Sequence, residues 1–209
     1  MPSVLFDFNG TISDDEPLLC AIFRELFADA GKPMSDGDYF GGLAGLSDPE
    51  IVREWLGRDD PAIVDRKIAR YRDCAADGST VDDETRLAVL LAAEYGPVAI
   101  VSGAARAEIE PVLAAAGLRD AVQAIVSMED VPRGKPEPDG YLRALELLGL
   151  QPHKAVAIED SPPGVAAAQA AGLRCAALTR TFTAERLAGA DLLAGRVDRE
   201  LIRRLVSSE

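Results

Sequence analysis

The chain has 209 residues, 48% of them hydrophobic, and a formal net charge of −13. That length suits one large domain or a core with a modest insertion. The acidic balance counts against a nucleic-acid partner, because gripping a phosphate backbone takes a basic face, yet a small phosphorylated ligand stays open since a bound cation reverses the local sign.

In chain order, short apolar runs appear at residues 4–8, 98–101, 124–126, 155–158 and 175–178. Each is continuous rather than alternating, which predicts strands covered on both faces, as in a parallel sheet. Segments with helical spacing separate them: 85–95, 107–116 ending at Gly117, 138–148 ending at Gly149, and 163–171 ending at Gly172. The alternation predicts an α/β, doubly wound, Rossmann-like core with right-handed crossovers.

Residues 14–81 break that rhythm and hold helical patterns without a strand. Leu18, Leu19, Ile22, Phe23, Leu26 and Phe27 share one face of a first helix that stops at Gly31-Lys32-Pro33. "SDPEIVREWLG" opens with a capping-box pair, Ser47 and Glu50, and closes at Gly57. "PAIVDRKIARYRDCAAD" follows, and "DGSTVDD" returns the chain. The expected division is a core of residues 1–13 and 82–209 with a helical insertion at 14–81.

No apolar run approaches the roughly 20 residues that cross a bilayer, and the N-terminus lacks a basic flank and a signal-type stretch. The cytoplasm is the expected location, with no membrane partner. Cys20, Cys74 and Cys175 are odd in number and lie among apolar neighbours, which predicts buried free thiols.

In an open parallel sheet, ligands bind beyond the carboxyl ends of the strands. The first run ends in Asp7-Phe8-Asn9, the second in Ser102-Gly103 and the fourth in Glu159-Asp160; Lys135 lies in the turn-rich "MEDVPRGKPEPDGY" after the third. Taken one at a time, such residues are more often caps and turns than catalysts. Together they gather carboxylates, a hydroxyl and an ammonium at one sheet edge, a set suited to metal-assisted phosphoryl transfer.

These segments resemble the four signature motifs of the haloacid dehalogenase-like hydrolase superfamily. "DFNGT" is similar to its Asp-x-Asp-Gly-Thr, "VSG" to the second motif, "GKPEPDGY" to the third and "IEDSPPGV" to the fourth. The order and spacing agree over nearly the whole chain, and the likeness leans to the branch of β-phosphoglucomutase and phosphoglycolate-type phosphatases, whose helical cap lies where residues 14–81 do. The resemblance implies a monomeric phosphatase acting on a small phosphorylated metabolite. It implies that Asp7 attacks phosphorus, that Ser102 and Lys135 hold the phosphoryl oxygens, and that Lys135 keeps Asp7 ionised. Mg²⁺ would sit on Asp7, the main-chain carbonyl of Asn9 and Asp160, with Glu159 close behind. Thr11 and Gly103 are secondary contacts, and Arg106 is a candidate for a substrate anion, against the plainer reading of a helix-surface arginine.

Asn9 departs from the pattern. The family's second Asp protonates the leaving alcohol and then activates water, and an amide does neither. General acid–base help is worth about 10²–10⁴ in rate, so a slow enzyme favouring good leaving groups is expected. Asn9 fits a natural specialised phosphatase, an engineered trap, or a fold that binds a phosphorylated ligand without turnover. Mutase activity is disfavoured by the missing proton carrier and by Asp48, where the β-phosphoglucomutase pattern has an arginine. Dehalogenation is disfavoured by Gly10-Thr11 with Glu159-Asp160, and phosphonate cleavage by the placement of Lys32 in a helix stop. His153 reads as a solvated turn residue, Trp55 and Tyr71 as packing groups, and the glycines of 40–47 as a mobile loop that approaches the ligand.

Overall fold

A computed structural model of the chain describes residues 2–207. Six parallel strands form one sheet: β1 (Ser3–Phe6), β2 (Val98–Val101), β3 (Ala124–Val126), β4 (Ala155–Glu159), β5 (Arg174–Leu178) and β6 (Leu192–Ala194), in the order β3-β2-β1-β4-β5-β6. Helices flank it, as the alternating pattern predicts. β1, β2 and β4 are buried along their whole length, which accounts for their unbroken apolar runs.

β1 stops at Phe6 and not at residue 8. Asp7 N–H still bonds the Ile158 carbonyl at 2.9 Å, but the amides of Ile12 and Ser13 then both fold back onto the Phe8 carbonyl. Gly10 makes that reversal at φ +71°, a backbone region that costs glycine little. β6 carries no sequence signal: it is three residues long and lies partly exposed at the sheet edge.

Between β1 and β2 the chain forms α1 (Glu16–Asp29), α2 (Asp36–Asp38), a π-turn (Tyr39–Leu43), α3 (Asp48–Leu56), α4 (Pro61–Ala75) and α5 (Asp83–Tyr95). The capping box of Ser47 and Glu50 is present, and α3 stops at Gly57. α1 buries Leu19, Ile22, Phe23, Leu26 and Phe27, with the Phe23 and Phe27 rings stacked 5.5 Å apart. Burying each such side chain contributes about 1.5–3 kcal/mol, and these residues belong to the same buried cluster as the strands.

Beyond β2 come α6 (Arg106–Ala115), α7 (Asp139–Leu148), α8 (Pro162–Ala170) and α9 (Arg199–Ser207). α9 packs Leu201, Ile202, Leu205 and Val206 inward. The three cysteines are free; Cys20 and Cys175 are buried as expected, whereas Cys74 is exposed. Cys74 lies off the α4 stripe of Ile63, Val64, Tyr71 and Ala75 that packs inward. Among the described residues no helix is long and apolar enough to cross a membrane.

Candidate active site

The parallel register places the candidates together. Phe6 pairs with Ile100 on one side and Ile158 on the other, so Asp7 emerges between Ser102 and Glu159-Asp160. Sheet order reverses between β1 and β4, the crevice where doubly wound sheets bind ligands. Asp7, Glu159 and Asp160 are buried, with one oxygen of each within 4.8 Å of the others.

Lys135 closes the group from the segment after β3. Its Nζ lies 2.5 Å from Asp7 Oδ1 and 2.7 Å from Glu159 Oε1. Those two charges outweigh its burial and raise its pKa above the ordinary lysine value. Glu159 is held further by the Tyr141 hydroxyl, which donates to Oε1 at 2.6 Å. Burial pushes Glu159 up to about 7. Asp160 is pushed well above the usual carboxylate range, first by burial and then by Glu16 and Asp7. The Thr181 hydroxyl donates to one of its oxygens. Gly10 packs against Asp160 so closely that an added Cβ would lie 2.0 Å from Oδ2.

Asn9 is turned toward the start of the helical segment. Its Nδ2 donates to Asp15 Oδ2 at 2.9 Å, and its Oδ1 accepts from Ser102 Oγ at 3.4 Å. Asp15 also accepts from Gly10 N–H at 3.1 Å and from the Tyr71 hydroxyl at 2.5 Å. Burial raises the Asp15 pKa. Tyr71 is therefore a buried packing group whose hydroxyl reaches Asn9 only through Asp15.

Above the strand ends, α1, α3, α4 and the π-turn close a cavity of ≈ 30 Å³ over Asp7, Asn9, Ser102, Gly103, Lys135 and Asp160. That is room for a water or two. Its upper wall is Glu16, Tyr39, Asp48 and Lys67; the sequence reading noted Asp48 only for the missing arginine and overlooked the other three. Tyr39 donates to Glu16 Oε2 at 3.0 Å, and burial with the neighbouring Asp15 charge pushes Glu16 up to about 8. Lys67 Nζ lies 2.9 Å from both Asp48 Oδ2 and Glu108 Oε1. The glycine stretch does approach the core: a Cβ on Gly45 would lie 2.5 Å from Ser161 Oγ.

Other candidates lie elsewhere. Arg106 does not line the cavity; its guanidinium bonds the Ile125 carbonyl at 2.9 Å and Asp130 at 2.6 Å, the surface pairing of the plainer reading. Thr11 is fully buried beneath the turn, and its hydroxyl has no hydrogen-bond partner. Lys32 Nζ sits over the Trp55 ring, 5.0 Å from its centroid. His153 is exposed in a short 3₁₀ turn.

Comparison with known proteins agrees with this geometry. The model of the haloacid dehalogenase-like hydrolase family matches residues 4–178. The chain is 31% identical over 194 residues to validoxylamine A 7'-phosphate phosphatase of Streptomyces hygroscopicus subsp. limoneus, covering 90% of this chain and 91% of that one. It is 31% identical over 179 residues to hexitol phosphatase B of Escherichia coli, covering 82% and 81%. Among solved structures, an aspartate-to-asparagine mutant of CbbY from Rhodobacter sphaeroides, in complex with xylulose-(1,5)bisphosphate, superposes with a TM-score of 0.85 at 29% identity over 96% of each chain.

Proposed function

The chain belongs to the haloacid dehalogenase-like hydrolases, and from that premise we propose a Mg²⁺-dependent phosphatase that works through an aspartyl-phosphate on Asp7. One observation carries the reading: a buried Asp7, held by Lys135 and flanked by Glu159 and Asp160, at the point where strand order reverses. The relatives named as phosphatases of phosphorylated small molecules support a substrate of that class.

In this reading the free oxygen of Asp7 attacks phosphorus, an O–P bond forms, and the bond to the substrate oxygen breaks with its electron pair. Water then attacks the acyl phosphate, which frees the Asp7 carboxylate and inorganic phosphate. Lys135 and the Ser102 hydroxyl hold phosphoryl oxygens as charge builds. Residues 14–81 act as a cap, because their helices leave only ≈ 30 Å³ over the strand tips, too little for a phosphoryl ester until the space widens.

The donor set fits a magnesium ion: three buried carboxylates with hard oxygens whose charge Lys135 offsets only in part. Asp7, Asp160 and the Asn9 carbonyl would hold it. Glu159 stands behind, its Oε1 already engaged by Lys135 and Tyr141. The ion would supply positive charge that lets an anionic nucleophile meet an anionic phosphate.

Asn9 leaves the departing oxygen without a proton donor, so turnover is slow on alkyl esters and faster on aryl or acyl phosphates. An Asp at this position would face Asp15, now bonded to the Asn9 amide. Two carboxylates so close share a proton, which is what a general acid needs. We expect Asn9→Asp to raise kcat on an alkyl phosphate by about 10²-fold or more and to change p-nitrophenyl phosphate turnover far less. Phosphate release by both proteins, with Mg²⁺ and with EDTA, checks this. No gain on the alkyl ester overturns the account of Asn9. No turnover of either ester by the parent or by Asn9→Asp favours the rival reading, a phosphate-ligand-binding fold without catalysis.

A further inference from the structure

The cavity holds two ammonium groups and both are already matched. Lys135 lies between Asp7 and Glu159. Lys67, fully buried on α4, lies 2.9 Å from Asp48 at the start of α3 and 2.9 Å from Glu108 on α6. The remaining ionisable groups on the cavity wall are the carboxylates Asp7, Glu16, Asp48 and Asp160 and the Tyr39 phenol. Among the described residues no arginine lines it; Arg53 and Arg133 line the adjoining groove and are paired with Asp59 at 2.7 Å and Asp139 at 2.8 Å.

The two ends of the cavity therefore ask for different things. At the strand tips, Lys135, Ser102 and a divalent ion would receive the phosphoryl group. At the upper wall, Glu16 and Asp48 offer acceptor oxygens, Tyr39 a phenol, and Lys67 an ammonium whose charge its own carboxylates cancel. Hydroxyl groups and protonated amines donate to such oxygens. A second phosphate or a carboxylate would instead be stripped of water beside like charge. Neither protonation state of Glu16 gives an anion a positive partner.

We propose that the substrate is a monophosphate whose remaining part is an uncharged or amine-bearing polyol, and that the Asp48–Lys67–Glu108 triad excludes substrates with a second anionic group. This rests on the phosphatase reading for the reaction, though not for the selectivity. Glu16 and Asp48 set specificity here; Lys67 and, through it, Glu108 act as positioning residues that hold Asp48 in place.

Matched pairs isolate the charge. Glucitol 6-phosphate and 6-phosphogluconate differ only at C1, an alcohol against a carboxylate; glucose 6-phosphate and glucosamine 6-phosphate differ only at C2, a hydroxyl against an amine. Each is assayed with Mg²⁺ for phosphate release and, by calorimetry, for binding. The expected result is at least about a tenfold preference for glucitol 6-phosphate over 6-phosphogluconate in kcat/KM and in affinity. Glucosamine 6-phosphate should equal or exceed glucose 6-phosphate. Equal or better use of 6-phosphogluconate overturns the inference while leaving a phosphatase in place. Discrimination in binding with no phosphate released from any compound, p-nitrophenyl phosphate included, removes the reaction and keeps the selectivity. Asp48→Asn, which leaves Lys67 with one carboxylate, should narrow the glucitol-to-gluconate ratio several-fold; the parent comparison decides the matter if that variant does not fold.

Discussion

The cavity has two poles, each with a buried lysine between two carboxylates, and they are built differently. The lower pole, Asp7–Lys135–Glu159, stands on the ends of adjacent parallel strands, where backbone pairing sets the spacing. The upper pole, Asp48–Lys67–Glu108, is assembled from the first turns of α3 and α6 and the middle of α4. At the lower pole Asp160 adds a further carboxylate that no lysine reaches, so negative charge is left over for a cation. At the upper pole the surplus is a single carboxylate, and the lysine is spent on holding helices together. A buried ion pair can thus be an unfinished binding site or a finished structural joint, and the count of carboxylates around it separates the two.

The largest effect should come from the lower pole. Asp7→Asn removes the proposed nucleophile and should cut kcat on p-nitrophenyl phosphate by at least about 10³-fold, with the fold intact by circular dichroism. Residual activity close to the parent's would remove Asp7 from the reaction and with it the difference between the poles.

Next in size is a stability contrast. Lys67→Met strands two buried carboxylates and should cost about 3–5 kcal/mol in urea unfolding, with no rescue by Mg²⁺. Lys135→Met strands Asp7 and Glu159 in the same way, but there magnesium binding can replace the lost charge. Its destabilisation should shrink on adding the ion, as mass action requires of a ligand that binds only the folded state. Equal response of both variants to Mg²⁺ would break the comparison.

The lower pole was legible because sequence neighbours become spatial neighbours there. Apolar strands buried on both faces leave continuous runs, and the residue after each run falls at one sheet edge. Asp7, Ser102, Glu159 and Asp160 needed only that rule, and Lys135 a loop of turn residues. The upper pole gave no such cue. Asp48, Lys67 and Glu108 are far apart in the sequence; Asp48 stood out only against the mutase pattern, and the other two resemble ordinary helix residues. One signal was present: Lys67 falls in register with Ile63, Tyr71 and Ala75, the inward stripe of α4, and a lysine in that stripe must find partners. Glu16 was hidden in the acidic run that opens α1, which reads as a helix start. Arg106 shows the opposite failure. It was named as a candidate for a substrate anion against the plainer reading of a surface arginine, and the structure has the second, with its guanidinium on Asp130.

The smallest effect concerns pH. Burial raises the Glu108 carboxyl from 4.5 to about 7, its charge only partly matched because Lys67 is shared with Asp48. Its other contacts are the Ala105 amide at 3.2 Å and, through charge, Tyr71 above it. With the folded value above the unfolded one, the folded protein holds the extra proton between about pH 4.5 and 7, and stability from this group falls as pH rises through that window. The slope is at most about 1.4 kcal/mol per pH unit. Lys67, raised above its ordinary value, stays charged throughout and contributes nothing to that slope. Glu16 and Glu159 titrate in overlapping ranges, so the informative quantity is a difference. Unfolding free energy measured at pH 5 and pH 8 in EDTA should fall less in Glu108→Gln than in the parent, because glutamine keeps the amide contact and leaves a neutral Lys67–Asp48 pair. An unchanged slope would mean that Glu108 is ionised across the whole range, and that the upper pole bears its extra negative charge permanently.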